Sequence, residues 1–133
     1  MLSNFEKVQQ FHKAFGVEPL WEGFPPPDKM IRRRWDLLNE EYEELWQEFF
    51  DYDDGHIVPT PSPTKHKIAK ELADMLYVIY GMADELDIDI DSVFTEVHNS
   101  NMSKLGTDGK PILREDGKIL KGPNYKEPDL SWL

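Results

Sequence analysis

The sequence predicts an all-α protein, a bundle of about four helices with a small C-terminal β-hairpin. Three observations carry this. Apolar residues recur at helical spacing through four stretches, each preceded by a Ser, Thr or Asp placed to cap it. A hairpin signature occurs near the end, where P-I-L-R-E-D-G-K-I-L-K bends at Asp116-Gly117. With 133 residues the chain makes one domain (1–133: helical core 1–104, hairpin and extended tail 105–133), small enough that its core is expected to be completed by oligomerisation.

The first helix is expected over 3–15. Ser3 and Glu6 form a capping box, Phe5, Val8, Phe11, His12 and Phe15 share one side, and Gly16 ends it. A proline-rich connection follows, and its Trp21 and Phe24 are too apolar for water, so they pin the loop down or cover a ligand. Asp28 is the expected cap of a long second helix over 29–52. Arg32, Arg33 and Arg34 near its start oppose the helix dipole, which calls for compensating acids from a neighbouring helix or subunit. Gly55 and three prolines then make a rigid loop.

Thr64 caps the expected third helix, 65–86, on which Ile68, Leu72, Met75, Leu76, Ile79 and Ala83 line one wide apolar face. Gly81 there allows close helix approach. In the next stretch Asp87, Asp89 and Asp91 suit the first positions of a calcium loop, but Ser92 stands where glycine is needed and His98 where glutamate is needed. That reading fails, which leaves a loop and a fourth helix over 92–103 capped by Asp91.

Chemistry concentrates in the second and third helices. Residues 36–54 hold nine acids and no Lys or Arg, yet Leu37, Leu38, Tyr42, Leu45, Trp46, Phe49 and Phe50 keep helical spacing. Glu40, Glu41 and Glu44 form E-E-x-x-E on one flank, since residues four apart stand about 40° from each other around a helix and residues three apart about 60°. Glu71 and Asp74 form E-x-x-D at the head of the run M-L-Y-V-I-Y-G-M-A, apolar nearly all round. Carboxylates converging from two facing helices repel, and burying them unpaired costs several kcal/mol each or forces protonation. A hard divalent cation removes both problems. Mg²⁺ takes oxygen ligands and shares its shell between carboxylates, water and substrate phosphates.

E-E-x-x-E followed by E-x-x-D resembles the signature of the all-α nucleoside triphosphate pyrophosphohydrolases, the MazG and phosphoribosyl-ATP pyrophosphohydrolase-like group related to the dimeric dUTPases. The stretches F-H-K-A-F-G at 11–16 and V-H-N-S-N-M-S-K at 97–104, with the hairpin and P-N-Y beyond, extend the resemblance over nearly the whole chain. It implies a MazG-like bundle that hydrolyses a nucleoside triphosphate to the monophosphate and pyrophosphate. Glu41, Glu44, Glu71 and Asp74 would hold two or three Mg²⁺ or Mn²⁺ ions, and Glu40, with Glu41, would serve catalysis as general base or further ligand. Asn101 and Lys104, in N-x-x-K, would contact the triphosphate, supported by Arg114, Lys118 and Lys121; Phe11, His12, Phe15 and Trp21 would meet the base. A homodimer or dimer of dimers is implied, with helices two and three paired between subunits.

Composition bounds the alternatives. The net charge of −11 is uneven: residues 1–100 carry 21 acids and 9 bases, residues 101–133 carry 5 and 6. A nucleic-acid polymer is therefore not an expected partner, for want of a basic stripe. No stretch suits a membrane or a secretion signal, and the chain has no cysteine, so a soluble cytoplasmic protein is expected. A redox carboxylate bundle would need E-x-x-H on two helices, and none occurs. The substrate is expected among deoxynucleotides, dUTP and dGTP included, in nucleotide-pool control. The alternatives are a phosphoribosyl-ATP pyrophosphohydrolase-like activity or a non-catalytic metal- or partner-binding helical module.

Overall fold

The computed structural model describes residues 1–17 and 21–133; residues 18–20 of the proline-rich connection lie outside it. The described chain is mainly helical, in the order α1 (Asn4–Phe15), α2 (Asp28–Gln47), β1 (Phe50–Asp53), β2 (His56–Pro59), α3 (Lys65–Glu85) and α4 (Ile90–Met102). It forms two compact units, Met1–Asp87 and Ile88–Leu133.

α1 is built as its pattern dictates. The Ser3 hydroxyl accepts from the Glu6 N–H at 3.2 Å while the Glu6 carboxylate accepts from the Ser3 N–H at 2.6 Å, and Gly16 closes the helix in the left-handed conformation. α2 departs from expectation at both ends. Pro27 is the residue before it and Asp28 its first, an acid in the turn where the dipole favours one. The helix stops at Gln47 instead of running to Tyr52, because the chain turns into an antiparallel hairpin pairing Phe50 with Pro59 and Asp53 with His56. Asp54 and Gly55 both take positive φ, 47° and 77°, the two-residue turn that matches strand twist. Aromatic and β-branched residues at Phe50, Tyr52, Ile57 and Val58 suit a pleated ribbon, and Trp46 packs on the rings of Phe50 and Tyr52 at 5.4 and 5.2 Å. The two-stranded sheet thus stands where a rigid loop was expected. The expected C-terminal hairpin is held by one bridge, Leu113 to Ile119, around the Asp116-Gly117 bend.

α1 and α2 both pack on α3, and α2 and α3 run antiparallel, since Arg33 and Arg34 near the start of α2 meet Glu85 at the end of α3. Phe5 meets Tyr80 at 6.2 Å, and Phe11 meets Tyr77 edge-on at 5.5 Å. The face that α3 turns inward is more polar than the sequence suggests. Glu71, Gly81, Ala83 and Glu85 are its buried residues, whereas Leu72, Leu76 and Ile79, 40–49 % exposed, form an outward apolar stripe. Gly81 is required by position: a Cβ there would come within 2.8 Å of Arg34 Nη1 and 3.2 Å of His12 Nε2. These two groups belong to a buried polar network. Arg34 and Arg33 both bond the Glu85 carboxylate, and His12 Nδ1 lies 2.5 Å from Asp84 Oδ2. The compensation that the arginine run required comes from α3 of the same chain, with Glu85 2 % and Arg34 5 % exposed.

In the second unit α4 begins at Ile90, capped by Asp89 and not Asp91: the Asp89 carboxylate accepts from the Ser92 N–H at 3.2 Å and from its hydroxyl at 2.6 Å. The tail is strapped to α4 where Ser100 donates to the Lys126 carbonyl at 2.8 Å and the Lys126 N–H donates to Ser103 at 2.9 Å.

Candidate metal centre

The second helix delivers its acids on one flank because Glu40, Glu41 and Glu44 lie within four residues, and α3 delivers Glu71 and Asp74 one turn apart. The structure brings one oxygen each of Glu41, Glu44 and Glu71 within 4.8 Å of one another. Glu71 is 7 % exposed, Glu41 and Asp74 are half-buried, and Glu44 and Glu40 are open to water, so the cluster sits at a rim with one wet side. Two atoms decide its chemistry. Glu41 Oε2 and Glu71 Oε2 are buried without a hydrogen-bond partner. Native proteins leave very few such acceptors orphaned, and two carboxylate oxygens have no way to satisfy each other while both are ionised.

The electrostatics agree with that geometry. Burial, then the charges of Glu44, Asp74, Glu40 and Glu71, hold the Glu41 carboxyl above its ordinary value of 4.5. An oxygen-only donor set, partly dry and overloaded with negative charge, fits Mg²⁺ or Mn²⁺ and offers nothing to a soft metal. The sign of the pH effect follows. Folded Glu41 binds its proton more tightly than the unfolded chain does, so its contribution favours the fold at low pH and is lost as pH rises through the elevated value. The melting temperature of wild type relative to Glu41→Gln, in chelator, is expected to rise on acidification toward 4.5. A saturating divalent cation, which requires the ionised carboxylate, is expected to reverse that trend. An identical pH dependence in both conditions would refute it.

The phosphoribosyl-ATP pyrophosphohydrolase family model matches residues 8–101, which include every one of these carboxylates. The chain belongs to this family. A solved structure from Exiguobacterium sp. 255-15, provisionally described as an NTP pyrophosphohydrolase, is 23 % identical and aligns over 96 % of this chain and 90 % of its own, with a TM-score of 0.47. No curated protein sequence matches the chain.

Family membership gives the remaining residues their context. Glu40 borders an open groove of about 510 Å³ with Lys29, Arg32, Arg33, Asp36 and Leu37. Of the four aromatic and imidazole candidates, Phe15 is the most exposed and stacks at 4.3 Å on Phe11, while His12 is interior, with Nδ1 on Asp84 and Nε2 3.4 Å from Arg34. Trp21 lines a cavity of about 620 Å³ with Glu22, Gly23, Phe24, Glu85, Leu86 and Asp87, its buried Nε1–H without a partner among the described residues. In the second unit, Lys104 donates to the Asn101 amide oxygen at 2.8 Å, Arg114 pairs with Asp116, and Lys121 lies 4.3 Å over the Tyr125 ring. Lys118 is exposed and has no side-chain partner among the described residues. One group went unnoticed in the sequence: Lys70 Nζ donates to Glu71 Oε1 at 3.1 Å and to Asp74 Oδ2 at 2.7 Å. Its signal was the i, i+4 spacing to Asp74.

Proposed function

We propose that this protein hydrolyses a nucleoside triphosphate to the monophosphate and pyrophosphate, using the carboxylates of α2 and α3. The observation that carries the reading is the pair of orphaned oxygens, Glu41 Oε2 and Glu71 Oε2, beside Glu44 in a chain of this family. Glu41, Glu44, Glu71 and Asp74 hold two or three Mg²⁺ or Mn²⁺ ions. When bound, the ions supply positive charge and Lewis acidity at the phosphate oxygens. Glu40, exposed and without a partner among the described residues, accepts the proton of the attacking water as its oxygen bonds to phosphorus and the bridging P–O bond breaks. Glu41 serves beside it. Burial and the neighbouring acids raise its proton affinity, an effect that cationic charge at the cage would offset.

Asn101 and Lys104 donate an amide N–H and an ammonium to the phosphate oxygens, with Arg114, Lys118 and Lys121 in supporting roles. Phe15, with Phe11, offers an aromatic face to a base and Trp21 an unused N–H donor, while His12 is interior and held by Asp84. The substrate is a deoxynucleotide such as dUTP or dGTP, handled in the cytoplasm for nucleotide-pool control. The family's own name favours a second reading, phosphoribosyl-ATP.

The outward stripes support a homodimer or dimer of dimers built on these helices. Leu72, Leu76 and Ile79 on α3 and Trp35 and Tyr42 on α2 are exposed apolar side chains of the kind a subunit interface covers. Light scattering is expected to give at least twice the chain mass of 15.6 kDa, and a monomer would remove the proposal.

The deciding assay is pyrophosphate release from a panel of deoxy- and ribonucleoside triphosphates and phosphoribosyl-ATP in Mg²⁺ and Mn²⁺. Turnover of a deoxynucleotide that ceases in chelator supports the reading, and turnover of phosphoribosyl-ATP alone supports the second. Silence across the panel leaves a non-catalytic module.

No helix among the described residues is long and apolar enough to cross a membrane.

A further inference from the structure

Lys70 has no role in the mechanism above, yet its ammonium occupies the space between two of the carboxylates. It approaches from the solvent side, its side chain 64 % exposed, and takes Glu71 Oε1 and Asp74 Oδ2 at once. We propose that Lys70 is the resident counter-ion of the cage, which a divalent cation must displace, and that it thereby sets the metal concentration at which the site loads. The inference rests on the metal-centre reading and adds a residue to it.

The argument is one of shared oxygens. Glu71 presents Oε1 to Lys70 and keeps Oε2 buried and unpartnered; Asp74 spends Oδ2 on the same ammonium. Without metal, one positive charge offsets part of the repulsion among five carboxylates, which lets α2 and α3 close together. The inner oxygens stay unsatisfied, and that residual demand draws in a divalent ion. An ammonium and a divalent cation on the same two carboxylates repel each other, so loading frees Lys70 at the rim. By linkage, whatever Lys70 contributes to the empty cage is subtracted from the metal's affinity.

Lys67 supplies the control. It stands four residues before Glu71 and carries the same charge, but makes no ion pair among the described residues. Removing its charge changes the general field of the cage without breaking a bridge.

The test is calorimetric titration of the full chain with Mn²⁺ alone. Lys70→Gln is expected to bind about 3- to 10-fold tighter than wild type, the range that loss of a partly exposed ion pair and its charge would give. Lys67→Gln is expected to stay within about twofold, and Glu71→Gln is expected to weaken binding, which shows that the heat reports the cage. Lys70→Gln no tighter than wild type, or Lys67→Gln tightening equally, overturns the counter-ion role while the metal centre stands. Wild type that ignores millimolar Mn²⁺, with Glu71→Gln indistinguishable from it, removes the metal reading and the proposal together. Thermal melting gives a second readout: in chelator Lys70→Gln melts lower than wild type, and the rise on adding Mn²⁺ is larger. An equal rise in both proteins counts against the proposal.

Discussion

Glu71→Gln is expected to lower turnover by about three orders of magnitude or more, the scale of losing a charged group that organises the transition state. Glutamine keeps the shape of a buried side chain but surrenders the orphaned Oε2 as an anionic ligand. The metal-free fold is not expected to suffer. Removing one of five like charges relieves Glu41 of a neighbour that raises its pKa, so melting in chelator should be unchanged or higher. The signature is a split: activity and metal-induced stabilisation lost, intrinsic stability kept. Turnover within threefold of wild type would sink the proposed site, and a collapsed melting temperature in chelator would assign Glu71 to the fold instead.

Glu85→Ala is expected to do the opposite. Glu85 is the shared anion of Arg33 and Arg34, and its loss strips the buried Arg34 of its carboxylate, with His12 as the remaining neighbour. Stranding one member of a buried pair typically costs about 3–5 kcal/mol, because the uncompensated charge stays in the interior. Denaturant unfolding should register that loss in full. Replacing the pair together, Arg34→Met with Glu85→Leu, is expected to recover most of it, since no charge then stays buried. A cost below about 1 kcal/mol for Glu85→Ala would mean that Arg34 reaches water easily.

These two acids, fourteen residues apart on one helix, show what could be read before folding. Glu71 was legible because its i, i+3 partner Asp74 opens an apolar run where charge needs a reason. Glu85 was not, because D-E-L-D reads as helix end and loop until α2 brings Arg33 and Arg34 against it. Likewise His12 lies on the apolar side of α1, where a ligand role and a packing role look alike; only the approach of Asp84 and Arg34 separates them. The end of α2 departs from the sequence pattern for a local reason. Apolar periodicity runs on through Phe50, but two left-handed residues at Asp54 and Gly55 commit the flanking segments to pair.

The sequence by itself determined the helical class, the spacing that puts each helix's acids on one flank, and the capping of α1, since all three depend on residues within a turn or two of one another. Tertiary structure decided which oxygens remain orphaned, that Lys70 spans Glu71 and Asp74, and that the inward face of α3 is the charged one. Those outcomes depend on desolvation and on long side chains choosing partners. Both are set by which helix faces pack together, a property of the folded chain that no local window contains.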